Sequence, residues 1–210
     1  MPSPAGVRVL LASASPRRAQ ILAGLGLPFE VIDSAIDDGE LTPPDNATAA
    51  SWTIAMAYLK ARAAINGLTV GTPGVVMGAD TSCELGGQII GKPATAQDAA
   101  RTLRAMSGRT QRVVTGVALV DPAHPRTHRV LIADTATVTF GDLDDAMIEA
   151  YVATDAWRGK AGGYNLSERV AEGWPVAVAG DPDTVVGLPA RRLHEWLDRT
   201  RGWGSWGGWA

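Results

Sequence analysis

A single cysteine, Cys83, in 210 residues leaves no disulfide framework and no cysteine-based metal cluster, and it fits a reducing cytoplasm. Basic excess is missing too. Nineteen Lys and Arg stand against 22 Asp and Glu, a formal net charge of -3, whereas nucleic-acid modules carry a basic surplus or stripe. A general polyanion binder is therefore excluded, and any phosphate chemistry must be local. No apolar run is long enough to span a bilayer, and the opening MPSPAGVRVLLA has no apolar core of signal-peptide type. The chain reads as soluble and cytoplasmic, with no nucleic-acid or membrane partner. No internal repeat is evident. The three histidines, His124, His128 and His194, have no ligand-like spacing, and the first two lie around a surface turn, so they read as structural.

What is present is an alternation of β-branched and helical segments, the pattern of an α/β protein. A strand near Val7–Ala12 leads into a helix with Ser15 as its cap and Pro16 at its first position, stopped around Gly24 and Gly26. PFEVI supplies a second strand. The acidic, proline-punctuated loop DSAIDDGELTPPDN follows, and then Trp52, Met56, Leu59 and Ala63 recur at helical spacing, predicting a helix over about 47–65 with Lys60 beside its buried stripe. VVMGAD is apolar without alternation, as in a strand covered on both faces, and the expectation is that it ends on Asp80. CEL-GG-QII reads as a hairpin that delivers the chain to Lys92, and Thr95 with Asp98 as a capping-box pair opening a helix that ends near Gly108. RVVTGVALV and RVLIADTATVTF form a hairpin around DPAHP, and a helix capped at Asp142 covers about 143–153. The glycine-rich RGKAGGYNLSE reads as a loop, PVAVAG as a strand, and a last helix starts near Pro189. Residues 1–200 read as one domain, and RGWGSWGGWA at 201–210 as a Gly/Trp-rich tail.

The first helix poses a physical problem. Arg17 and Arg18 fall in its first turn, where unpaired N–H groups and the helix dipole already carry positive charge. A solvated cap is the bland reading; an anion completing the charge balance is the functional one. Ser13, Ser15, Arg17 and Arg18, then Asp37, Asp38 and Glu40, then Lys60, Asp80, Lys92 and Lys160 alternate cations and carboxylates at strand ends, helix starts and loops, where α/β active sites collect. Hydroxyls, helix N–H groups and Arg suit phosphate oxygens, and grouped carboxylates suit a hard divalent cation such as Mg²⁺ or Mn²⁺. That combination fits phosphoryl-group hydrolysis. Cys83 lies in a hairpin strand with no paired histidine, so it is not read as a nucleophile.

The motifs ASASPRR, SAIDDGE, LKARA, GADT, GKP, LRAMSGRT, VVTGVAL, KAGGY and TVVGLP follow one another in order from about Val7 to Leu197. As an ordered set they resemble the Maf family, nucleoside triphosphate pyrophosphatases once called septum formation inhibitors. The resemblance implies an elongated mixed sheet with flanking helices, two lobes around a deep nucleotide-binding cleft, and hydrolysis between the α and β phosphates. It assigns Asp80 as general base, with Lys60 and Lys92 in the catalytic set and Ser13, Arg17 and Arg18 on phosphates. It gives Asp37, Asp38 and Asp80 to a divalent metal, Asp38 standing where the family usually has Glu. Arg17 and Thr81 resemble the subgroup that prefers dTTP and UTP; Ser167 stands where that subgroup has Gln, and RVAEGWPVAV lacks a glycine pair common there. Purine or 7-methyl-GTP hydrolysis, or a non-catalytic regulator of septation, are the alternative readings, and family habit implies a homodimer.

Overall fold

The computed structural model describes residues 8–36 and 41–199. Asp37, Asp38, Glu40 and the Gly/Trp-rich tail lie outside them. Seven strands, β1 (Val9–Ala12), β2 (Phe29–Ile32), β3 (Val75–Leu85), β4 (Gln88–Ile90), β5 (Thr110–Val120), β6 (Arg129–Phe140) and β7 (Val176–Ala179), form one mixed sheet in the order β2-β1-β3-β5-β6-β7, with β4 paired to β3. The β1 strand runs parallel to β2 and β3, and the other pairings are antiparallel. The helices are α1 (Pro16–Gly24), α2 (Ala49–Asn66), α3 (Ala96–Met106), α4 (Asp145–Ala153), α5 (Leu166–Ala171), α6 (Pro182–Val186) and α7 (Ala190–Arg199). The α/β expectation holds.

The pleat of β1, β3 and β5 sorts their residues onto two faces. Val9, Leu11, Val75, Met77, Ala79, Val117 and Leu119 pack under α1 and α7, through Leu22 and Leu193; Leu10, Ala12, Val76, Ala118 and Val120 pack under α2, through Ala57, Ala61 and Ala64. A third apolar cluster fills the other end of the sheet, where Cys83, Val113, Val138 and Phe140 meet α3, α4, α5, Trp157 and Trp174. The molecule therefore has apolar cores towards both ends of β3, and the midpoint of that strand falls between them.

Register explains why this midpoint is open. The last β3 residue paired with β1 is Gly78, opposite Ala12, and the first paired with β4 is Cys83. Between them Asp80 and Thr81 are paired only on the β5 side, with Gly116 and Thr115. A sheet that loses one neighbour at a strand's carboxyl end leaves a crevice there.

Four expectations are corrected. The strand does not end on Asp80, because Thr81–Leu85 keep their pairing with β5. Ser15 sits at the N-cap position of α1 but makes no side-chain cap hydrogen bond. The α4 helix is capped by Asp144, which accepts from Met147 N–H at 2.7 Å, not by Asp142. The buried stripe of α2 is Thr53, Met56, Ala57, Lys60, Ala61 and Ala64, while Leu59 is exposed. At the end of the segment read as a loop, α5 forms behind the cap Asn165, and α6, which the sequence reading did not place, forms behind Asp181.

Candidate functional site

Lys60 reaches the crevice from α2. Since Val76, Gly78 and Asp80 share one face of β3, the helix that covers Val76 also brings Lys60 Nζ to 2.8 Å from Asp80 Oδ1. Both groups are buried, 4% and 8% exposed. Two ions withdrawn from water must compensate each other, and removing one partner of such a pair typically costs about 3–5 kcal/mol. Asp80 Oδ2 takes no hydrogen bond from the described residues.

Thr81 points to the opposite face, where Arg18 waits. The Arg18 guanidinium donates to Thr81 Oγ1 at 3.3 Å, to Ser13 Oγ at 3.0 Å and to the Gly187 carbonyl at 2.9 Å. Thr115 Oγ1 donates its single proton to the Thr184 carbonyl at 2.6 Å, so in the 2.8 Å contact between the two threonines Thr81 is the donor. A directed chain of hydrogen bonds thus fixes the start of α1 to the centre of the sheet and to α6. Ser15 N–H donates to Ser13 Oγ at 3.2 Å. The Arg17 guanidinium forms no hydrogen bond or ion pair with another described residue.

These groups line a cavity of about 420 Å³. Ser13, Ser15, Arg17, Arg18, Lys60, Asp80, Thr81, Lys92 and Lys160 all border it, so residues dispersed over the sequence meet in one place. Among the described residues, five cationic side chains and one carboxylate, Asp80, line the cavity. Ser167 is the expected residue that the structure does not bring in; it is exposed on the first turn of α5, and Asn165 and Leu166 form that wall. Asn165 is the lining residue missed in the sequence. It accepts from Ser167 N–H and donates to Glu168, which in turn accepts from Lys160 Nζ at 2.7 Å. The Asn-x-x-Glu spacing that opens a short helix was the available signal. Cys83 also borders the cavity, but burial pushes its thiol up to about 12, so it offers no thiolate at neutral pH.

Ser34 and Ile36, the last described residues before Asp37 and Asp38, line the same cavity. Hard oxygen donors, one Asp80 carboxylate oxygen and serine hydroxyls, are the donor set that suits Mg²⁺ or Mn²⁺ when substrate phosphates complete the shell.

A cation-lined crevice at the split in an α/β sheet defines a protein built to receive a polyphosphate-like anion. Residues 8–200 match the family model of the Maf-like proteins, and the chain belongs to that family. It is 42% identical over 192 residues to a protein of Moorella thermoacetica named dTTP/UTP pyrophosphatase, an alignment covering 90% of this chain and 93% of that one. A protein of the same name from Deinococcus radiodurans is 37% identical over 190 residues, covering 90% and 91%. A solved HAM1 protein from Coxiella burnetii is 15% identical, with a TM-score of 0.49 over 92% of this chain and 100% of that one. Among the described residues no helix is long and apolar enough to cross a membrane.

Proposed function

We propose that this chain hydrolyses nucleoside triphosphates between the α and β phosphates, releasing the monophosphate and pyrophosphate, with dTTP and UTP as its preferred substrates. The observation that carries the reading is the buried Lys60–Asp80 pair in a crevice whose other described charged lining residues are cations. The names of the relatives, dTTP/UTP pyrophosphatase, supply the bond and the bases. Asp80, paired with Lys60 at 2.8 Å, orients a water and takes its proton as it attacks the α-phosphorus. Arg17, Lys92 and Lys160 hold the phosphate oxygens and balance the charge that grows on departing pyrophosphate. Arg18, already engaged with Ser13, Thr81 and Gly187, sets the height of the α1 N-terminus at which those oxygens dock. Asp80, with Asp37 and Asp38, would hold a divalent cation, which would supply Lewis-acid stabilisation of the phosphates.

The test is pyrophosphate release from dTTP, UTP, CTP, GTP, ITP and 7-methyl-GTP, with Mg²⁺ or Mn²⁺ and with chelator. Metal-dependent release from dTTP and UTP is expected. Release from purine nucleotides alone overturns the base assignment, and silence across the panel overturns the enzyme in favour of a nucleotide-binding regulator. Arg17→Ala is expected to raise KM for dTTP roughly 10–100-fold, the loss of one charge-assisted contact. Its melting temperature should stay within about 2 °C of the parent, since the guanidinium opposes the helix dipole. A large thermal loss with unchanged KM would make Arg17 structural.

A further inference from the structure

The β5–β6 turn, 121–128, lies at the other end of the hairpin from the crevice: Asp80 pairs with Gly116, and Val120, next to the turn, pairs with Val76 and Arg129. Four residues of extended strand put it at least ~13 Å away. In this turn Asp121 Oδ2 is approached by His124 Nδ1 at 3.1 Å and by His128 Nδ1 at 3.3 Å. The sequence spacing gave no reason to expect this convergence, because the turn, and not a helix face, brings the two rings together.

We propose that Asp121, His124 and His128 form a site for a borderline transition-metal ion of the zinc type, separate from the nucleotide crevice. With metal–ligand bonds of about 2.0–2.1 Å, neighbouring ligand atoms of a tetrahedral zinc site are about 3.3 Å apart. The two observed contacts already have that length. Ligand atoms of all three residues lie within 4.8 Å of one another, and the remaining edge closes by rotation of His124, whose side chain is 60% exposed. The frame beneath is held by the backbone. Asp121 N–H donates to the His128 carbonyl at 3.0 Å and His128 N–H to the His124 carbonyl at 2.8 Å. Ala123 N–H donates to Asp121 Oδ1 at 2.8 Å, which orients the carboxylate and leaves Oδ2 for the metal, as a hydrogen bond to the other oxygen does for ligating carboxylates. Tyr58 of α2 donates to the Pro125 carbonyl at 2.9 Å and so anchors the turn. Two imidazoles and a carboxylate favour Zn²⁺, Ni²⁺ or Cu²⁺ over Mg²⁺, and three protein ligands leave a fourth position for water. Binding needs each ring in its neutral Nε2–H tautomer, so that Nδ1 offers its lone pair.

The experiment is calorimetric titration of the full chain with zinc chloride in excess Mg²⁺, paired with thermal melts. One zinc equivalent is expected, together with a zinc-dependent rise in melting temperature. His124→Ala and His128→Ala should each weaken zinc at least ~10-fold and abolish that rise, as loss of a ligand costs no less than loss of a second-shell partner. Asp80→Asn should leave zinc binding unchanged. Cobalt loading should give a visible absorption band that His128→Ala removes. Failure of the parent to bind zinc, parental zinc affinity in either histidine variant, or loss of zinc in Asp80→Asn would each overturn the site.

Discussion

Asp80→Asn is expected to lower kcat for pyrophosphate release by about 10²–10⁴, the span of a positioned general base, while a non-hydrolysable triphosphate still binds within a few-fold of the parent affinity. The substitution keeps shape and removes charge, so it separates proton transfer from substrate holding. It also acts on stability, because Lys60 Nζ, 2.8 Å away and 4% exposed, loses the charge of this carboxylate. A broken buried pair costs about 3–5 kcal/mol, which for a chain of this size is a fall of roughly 10 °C in melting temperature. Adding Lys60→Met should recover part of that loss, since it removes the buried ammonium while the amide at position 80 stays neutral. Activity should not return. The measurements are steady-state kinetics, analogue binding and a double-mutant melt cycle; a kcat within tenfold of the parent sinks the base assignment, and equal collapse of turnover and binding would make Asp80 an anchor for substrate.

Much of the site was legible because its chemistry conflicts with local rules. Two arginines at a positive helix end, and a carboxylate within an apolar strand, each demand a partner, and the fold places both on the same cavity. The side of the cavity formed by 159–166 was harder to read. Asn165 and Leu166 line it while Ser167, on the first turn of the helix that Asn165 caps, is exposed; the glycine-rich run hid a six-residue helix. The His124–Asp121–His128 contact was invisible for a different reason, since it depends on a turn whose backbone bonds cannot be read from spacing.

The strands were legible from their apolar runs, but how α2 lies on them was not. Large residues at 52, 56 and 59 suggest a buried stripe; Met56 is buried and Leu59 is exposed, and the surface laid on the strands is made mainly of small residues. Ala57, Ala61 and Ala64 face Leu10, Val76 and Ala118, because the contact is chosen by closeness of approach and not by side-chain size. Two glycines make that approach possible. A Cβ on Gly78 would lie 2.0 Å from the Ala57 carbonyl oxygen and 2.9 Å from Ala61 N; one on Gly116 would lie 2.5 Å from the Thr53 carbonyl carbon.

Gly78→Ala is therefore expected to cost about 3 kcal/mol or more, at or beyond the upper end of ordinary overpacking, because the atoms it meets are helix backbone and cannot swing aside. A loss of roughly 10 °C in melting temperature follows. Gly24→Ala, at a position where a Cβ meets nothing within 4 Å, should be neutral or slightly stabilising and serves as the control. The larger consequence is catalytic. To admit the methyl group α2 must rise from the sheet, and Lys60, one turn beyond Ala57, rises with it. Asp80 stays on β3. The 2.8 Å ion pair is then stretched without either of its members being altered, so kcat should fall in the fraction of protein that remains folded, while Arg17 and Lys92, which α2 does not carry, continue to hold the triphosphate. Kinetics below the melting transition, corrected for folded fraction, read this directly. A folded Gly78→Ala protein with parental kcat would show that the height of α2 does not set the geometry of the base, and the role given to the glycine would have to be surrendered.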